Sequence, residues 1–253
     1  MALIHVSIVS HQQATLVTDL LSDLARFVQE SDLHVTVLSN LPEPRPATPQ
    51  SLAGRIEFLL NERPAGFAAN HNRVFRGCDS PYFCVLNPDL RISENPFPAL
   101  LDAFRNDAVA AAAPAAYGPD GTLQDNARAL PSPLGIASKV LRPARGPDYV
   151  VHDLVAHPDW IAGLFILFRA EAYRAVGGFD ERYFLYYEDV DMCSRLRLAG
   201  WQIAWLPWVQ VIHDARRHSH RDLRHFLRHL RSVTRFFCSD IYRKARALPR
   251  GQG

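Results

Sequence analysis

Several common activities need features that this chain does not have. No apolar run approaches the roughly 20 residues that would cross a bilayer. The N-terminus carries no basic segment with a small-residue cleavage site, since Ile4-His5-Val6-Ser7-Ile8-Val9 reads directly as a strand. A cytoplasmic location is the expectation. Cysteine is scarce: Cys78, Cys84, Cys193 and Cys238 show no C-x-x-C spacing, which points to reduced, buried thiols rather than a disulfide framework or zinc knuckle. No G-x-G-x-x-G follows the first strand, so a dinucleotide fingerprint is absent, and no G-x-x-x-x-G-K-[ST] phosphate loop occurs. There is no internal repeat, and the only biased tract is the alanine run at 110–113.

What is present is ordinary for a globular protein. With 253 residues, 48% of them hydrophobic and 21% charged, the chain can bury a large core as one domain or two intimate lobes. Its net charge of +2 hides an asymmetry, because eleven Arg or Lys face three Asp from Asp214 onward. A basic tail on an acidic body suggests contact with phosphates or an anionic surface. A nucleic-acid partner is not expected, since a single basic helix without aromatic interleaving is weak evidence for one.

Four continuous apolar runs, at 4–9, 34–38, 55–60 and 82–86, end on small polar residues: Ser10, Ser39-Asn40, Asn61 and Asn87. Runs without alternation suit strands buried on both faces. Between the first two, Leu16, Val17, Leu20, Leu21, Leu24, Phe27 and Val28 form a helical stripe, and 65–76 and 96–105 read as further helices. Strands alternating with helices predict an α/β fold, with its ligand beyond the carboxyl ends of the strands. Further on, 117–121 is a turn signal and 131–158 a long irregular segment. Strands are expected at 161–168, 201–206 and 209–212, with helices at 170–176 and 190–199. The last helix, 221–237, places Leu223, Phe226, Leu227, Leu230, Val233 and Phe237 on one face and Arg224, Arg228, Arg231 and Arg235 on the other.

Several groups could carry chemistry, each with a plainer reading beside it. Asn87-Pro88-Asp89 follows a buried strand, and Pro88 restricts where Asp89 points. Asp89 either grips a divalent cation against a diphosphate, since Mg²⁺ needs few protein oxygens, or belongs to a strand-ending turn. The block Gly177-Gly178-Phe179-Asp180-Glu181 through Glu188-Asp189-Val190-Asp191 crowds carboxylates around a helix start. There Glu188 and Asp189 either cap the helix or take a proton from a hydroxyl. Asp191 and Arg195, four apart, face each other, which leaves Asp189 the freer carboxylate. His213 is either an incidental histidine or a metal ligand. Trp160, Trp201, Trp205 and Trp208 either stack on sugar rings or pack the core. The stretch from Asn61 through Gly66-Phe67 to Asn70 and Asn72 either offers free helix-start N–H groups to a phosphate or is a plain loop.

In order and content these pieces resemble the inverting family 2 glycosyltransferases, especially their bacterial rhamnosyltransferase-like branch. The resemblance is carried by Ser10-His11-Gln12 after the opening strand, by Asn61 with Gly66-Phe67-Ala68 and Asn70/Asn72, and by Leu86-Asn87-Pro88-Asp89. Trp160-Ile161-Ala162-Gly163, the Gly-Gly-Phe-Asp to Glu-Asp-Val-Asp segment, Arg195, Gly200-Trp201 and His213 complete it, across roughly residues 3 to 237. The pattern departs at Ser39, where relatives have an Asp that contacts the nucleobase, and at Asn87, in place of the first Asp of D-x-D.

The resemblance implies a GT-A fold: a central, mostly parallel mixed sheet flanked by helices, with C-terminal helices. Residues 1–115 would form the donor half, 116–213 the acceptor half, and 214–250 a basic helical segment. It implies a nucleotide-diphosphate sugar donor, with rhamnose on dTDP as the first choice, and a glycan or lipid-diphosphate-linked acceptor in cell-surface polysaccharide synthesis. Asp189 would be the general base with Glu188 beside it. Asp89 and His213 would hold Mg²⁺ or Mn²⁺. Ser10, Gln12, Asn40, Asn61, Gly66, Phe67, Asn70 and Asn87 would line the donor, and Trp160, Gly163 and Arg195 the acceptor. The Arg face of the last helix would suit a peripheral position on an anionic membrane. The competing expectations are a sugar nucleotidyltransferase, although residues 10–15 lack that class's glycine- and basic-rich loop, and a non-catalytic sugar- or lipid-binding module.

Overall fold

The computed structural model describes residues 2–136, 148–151, 154–214 and 223–251. The apolar runs become strands β1 (Ile4–Ser10), β2 (Leu33–Ser39), β3 (Ile56–Leu60) and β4 (Tyr82–Leu86). They pair in parallel in the spatial order β3-β2-β1-β4. Helix α1 (Ala14–Ala25) buries Val17, Leu20, Leu21 and Leu24 from its expected stripe. Each such side chain contributes about 1.5–3 kcal/mol of burial. Helices α2 (Phe67–Phe75) and α3 (Phe97–Ala103) follow as expected, with the short strand β5 (Leu90–Arg91) between them.

The sheet continues past β4 as β9 (Phe165–Arg169), β6 (Val109–Tyr117), β10 (Gln202–His213) and finally β5. Strand β9 runs antiparallel to both of its neighbours, which makes the eight-stranded sheet mixed. Strand β6 was not expected, because its alanine run has low strand propensity. Its alanines are completely buried beneath the larger Phe168 and Trp205, so small side chains are what this central position can accept. The single strand expected over 161–168 is two pieces. Strand β8 (Trp160–Ile161) pairs with β7 (Ala127–Arg128), and a turn at Gly163 separates it from β9. The strands expected at 201–206 and 209–212 are one strand, β10, whose register shifts between Leu206 and Gln210 where Pro207 cannot donate.

Helix α4 (Ala170–Ala175) and helix α5 (Glu188–Leu198) flank the glycine turn. Helices α6 (Leu223–Phe237) and α7 (Asp240–Ala245) close the described chain, α7 with Ser239 as its N-cap. The face by which α6 packs differs from the expected one. Leu227 and Leu230 are 54% and 49% exposed. The helix instead docks through Ser232, whose Oγ donates to the Leu185 carbonyl at 2.9 Å, and through Phe236 and Phe237 against Tyr187. This aromatic cluster turns the leucine stripe outward. Residues 215–222, including Arg221 of the expected helix, and the side chains of Leu223, Arg224 and Phe226 lie outside what is described. Three cysteines are buried as expected, whereas Cys238 is exposed. Among the described residues no helix is long and apolar enough to cross a membrane.

Candidate active site

The carboxyl ends of β1 to β4 gather the expected donor-side residues. Ser10 is buried, and its Oγ accepts from the Gln13 N–H at 3.2 Å, while Gln12 is exposed with a left-handed φ of 61°. Asn40, Asn61 and Asn70 are buried and joined through their amides. Asn61 Nδ2 donates to Asn40 Oδ1 at 2.8 Å and to Asn70 Oδ1 at 2.6 Å. Asn40 also brackets Ala65, accepting from its N–H at 2.8 Å and donating to its carbonyl at 3.0 Å. These amides brace the 61–65 loop and are not free polar groups facing a ligand. The free helix-start N–H expected at Phe67 is likewise engaged, donating to the Phe184 carbonyl at 2.9 Å. Gly66 presses on the same carbonyl, and a Cβ there would lie 2.5 Å from its oxygen.

Asp89 and His213 meet as the resemblance implied. His213 Nε2 lies 3.4 Å from Asp89 Oδ1, an oxygen that is buried and accepts no hydrogen bond. Gln124 settles the imidazole's tautomer. Its Nε2 donates to the His213 carbonyl at 2.9 Å, so its Oε1, 2.6 Å from His213 Nδ1, must accept. Nδ1 therefore carries a ring proton, and Nε2 faces the orphaned Asp89 oxygen. An imidazole nitrogen and a carboxylate oxygen facing each other in a partly buried corner suit a hard divalent cation completed by phosphates and waters. Among the described residues no group of three or more His, Cys, Asp or Glu could hold a metal on its own. Gln124 carried no sequence signal, since it is a lone amide beyond a turn.

The acidic block resolves into distinct jobs. Tyr186 and Tyr187 both adopt left-handed backbone, with φ of 70° and 68°. Each such aromatic residue costs on the order of 1–3 kcal/mol, and the strained corner launches α5 without any side-chain cap. Asp189 lies in the first turn of that helix and serves both it and the neighbouring loop. Its Oδ2 accepts from the Gly163 N–H at 3.0 Å and its Oδ1 from the Val190 N–H at 2.8 Å. Asp191 is buried and paired with Arg195 Nε at 2.7 Å, on the other side of the helix.

Arg195 is not at the acceptor side as expected. Its Nη1 donates to the Val176 and Gly178 carbonyls at 2.6 and 2.8 Å, pinning the glycine turn. Asn72 grips that turn from α2, accepting from Phe179 N–H and donating to the Phe179 carbonyl. His71 was also missed. It is buried, 2.8 Å from Ser7 Oγ, with its pKa lowered to about 3 by burial, and its ring stacks 4.4 Å from Phe67. The Phe67 ring in turn fills the space beside Gly163, where an added Cβ would lie 3.2 Å from it.

Burial raises the pKa of Asp189, opposed by the two N–H donors and by the Arg128 charge. Burial, then the neighbouring Asp189 charge, pushes Glu188 well above the carboxylate range, and its Oε2 has no hydrogen-bond partner. Of the two carboxyls, Glu188 is raised further, so it holds a proton more readily than Asp189 does. A carboxyl whose folded pKa is raised binds more protons folded than unfolded, so its contribution to stability falls as pH rises above its unfolded pKa. Glu188→Gln should thus gain thermal stability over the parent progressively from about pH 4.5 upward. Melting curves across pH 4–8 that run parallel would contradict a raised Glu188.

Asp189, Glu188, Trp160 and both tyrosines open onto a cavity of about 750 Å³ that Asn87, Asp89 and His213 do not line. Trp160 is nearly buried, donates from Nε1 to the Ala129 carbonyl at 3.0 Å, and lies under the Arg128 guanidinium at 5.2 Å. Trp205 is core and Trp208 half exposed, so of the four tryptophans only Trp160 is at this cavity. The two regions adjoin through the backbone, because Asn87 N–H donates to the Leu164 carbonyl at 2.8 Å, next to the Gly163 that holds Asp189.

The mixed central sheet flanked by helices is the GT-A fold. Among solved structures the chain is similar to GalNAc-T7 with UDP, GalNAc and Mn²⁺, at TM-score 0.66 and 15% identity over 86% of this chain and 44% of that one. In sequence it is similar to the N-acetylglucosaminyl-diphospho-decaprenol L-rhamnosyltransferase of Mycobacterium tuberculosis, 36% identical over 62% of this chain and 54% of the relative. It is also similar to rhamnosyltransferase WbbL of Escherichia coli, 42% identical over 31% of this chain and 30% of that protein. The chain thus spans about half the length of the mycobacterial relative. No family model matches it.

Proposed function

We propose that the chain is an inverting glycosyltransferase that moves L-rhamnose from dTDP-rhamnose to a hydroxyl of a lipid-diphosphate-linked glycan in cell-surface polysaccharide synthesis. The observation that carries this reading is Asp189, a carboxylate of raised basicity at the wall of a sugar-sized cavity, one backbone step from Asn87-Pro88-Asp89. The rhamnosyltransferase relatives support the sugar, and the name of the mycobacterial one supports the acceptor class.

Displacement at an anomeric carbon forms a bond to the acceptor oxygen and breaks the bond to the diphosphate. Asp189 takes the hydroxyl proton as that bond forms, so no charge builds on the attacking oxygen. The hydrogen bonds from Gly163 and Val190 hold both oxygens in place, and Glu188, which holds a proton more readily, limits the second charge beside the base. Asp89 and His213 would hold Mg²⁺ or Mn²⁺, which supplies charge neutralisation for the departing diphosphate. Residues before about 115 would serve the donor, and those after it the acceptor. The test is transfer from a panel of nucleotide sugars with Mg²⁺ or Mn²⁺ to a GlcNAc-diphospho-lipid. Transfer of rhamnose is expected, and no transfer with no thermal shift from any donor would end the proposal.

The same reading places the protein on an anionic membrane, on its cytoplasmic side. Exposed Leu227 and Leu230 lie with Arg231 and Arg235 on the outer side of α6, an apolar and basic strip of the kind that lies in a headgroup layer. Flotation with phosphatidylglycerol vesicles at low salt should carry the parent upward and leave Leu227→Glu/Leu230→Glu behind. Equal flotation would reduce this strip to plain surface.

A further inference from the structure

The cavity beside Asp189 holds positive charge that donor chemistry does not use. The donor's diphosphate belongs at Asp89, which does not line this cavity, yet Arg128, Arg197, Arg246 and Arg250 all do. Two of the four are committed. Arg197 ion-pairs with Asp159 at 2.7 Å, and Arg128 with Asp125 at 3.1 Å. Arg246 and Arg250 are exposed and have no carboxylate partner among the described residues, and the Arg246 guanidinium lies 5.7 Å from the centre of the Tyr242 ring.

Their position is built. Asp159 is buried and collects three walls of the cavity, accepting from Leu130 N–H at 2.7 Å and Gly251 N–H at 2.7 Å besides its Arg197 pair. Arg197 also donates to the Pro249 carbonyl. Gly251 packs where a Cβ would lie 2.3 Å from the His157 carbonyl oxygen. The segment carrying Arg246 and Arg250 is thereby fastened to the acceptor side of the molecule. Of the cavity's carboxylates Asp159 is already paired with Arg197, and none forms an ion pair with Arg246 or Arg250 among the described residues.

From this arrangement we infer that Arg246 and Arg250 form an anchor for the diphosphate of the acceptor, separate from the donor's diphosphate site. This rests on the glycosyltransferase reading and adds to it the group by which the acceptor is recognised. The acceptor's sugar then lies against Trp160, with its hydroxyl toward Asp189, while its diphosphate meets the two guanidiniums at the cavity mouth. Guanidinium is suited to this because its fork matches the phosphate oxygens.

The experiment uses the full chain with dTDP and Mn²⁺ in excess to fill the donor site. Binding of a short isoprenyl diphosphate is measured by calorimetry for the parent and for Arg246→Gln/Arg250→Gln. The parent should bind, and the double variant about tenfold or more weakly. In transfer assays the variant's KM for a diphosphate-linked acceptor should rise by a similar factor. Its KM for the nucleotide sugar, and its turnover of a neutral alkyl glycoside acceptor, should match the parent. No binding by the parent, equal binding by the two proteins, or equal losses on charged and neutral acceptors would overturn the anchor. If the parent binds the isoprenyl diphosphate but transfers no sugar, the anchor stands and the transferase reading falls.

Discussion

Asp189→Asn should lower kcat by about a hundredfold or more, with donor binding largely kept. The amide keeps the shape of the side chain and removes the basic lone pair that receives the hydroxyl proton. It also brings a cost of its own. Both oxygens of Asp189 accept backbone N–H bonds, from Gly163 and Val190, so an amide must turn its NH₂ against one of these donors. Nucleotide binding by thermal shift therefore belongs beside the rate measurement. A variant that binds donor like the parent and still turns over at parental speed would remove Asp189 from the chemistry. A sugar- or lipid-binding module without catalysis would keep all its measurable function in this variant.

Removing the divalent ion should be comparably severe. Excess EDTA is expected to stop transfer, and added Mn²⁺ or Mg²⁺ to restore it. Asp89→Ala should lose about a hundredfold or more, the scale of several kcal/mol of charge stabilisation on the leaving group. The orphaned Asp89 oxygen facing His213 Nε2 motivates this expectation, and Gln124 adds a graded test. Gln124→Ala leaves both ligands in place but frees the imidazole to take either tautomer, so it should weaken metal affinity, by about tenfold or more, without altering the rate at saturating metal. Full transfer in excess chelator would show that the corner at Asp89 and His213 has another purpose.

Much of this was legible in the chain before any coordinates. Continuous apolar runs marked β1, β2 and β4 because parallel strands covered on both faces have no polar side to show, whereas β3 carries its run at the exposed edge of the sheet. The four-residue spacing of Asp191 and Arg195 separated the paired carboxylate from Asp189 correctly. Other features were hidden for physical reasons. Strand β6 is alanine-rich because its neighbours are bulky, and that constraint exists only once the sheet is assembled. Asn40, Asn61 and Asn70 look like ligand-facing amides until their mutual hydrogen bonds are seen, and Arg195 looks like a substrate contact until it meets two backbone carbonyls. The stripe on α6 predicted a buried face from Leu223 to Phe237; Phe237 does pack, but Phe236 and Ser232 pack beside it and leave Leu227 and Leu230 exposed. Gln124 was invisible, since its work depends on a partner 89 residues away.

The contact of Gly66 and Phe67 with the carbonyl of Phe184 bears on how this protein could be re-engineered. The corner of strained tyrosines beside Asp189, the proposed base, is leaned upon by a helix from the opposite half of the chain, with Asn72 gripping the neighbouring glycines. A chimera that swapped only the later half for that of a relative would import a base without its brace. Grafts that carry the 61–72 stretch together with the incoming half should therefore survive where cuts between them fail.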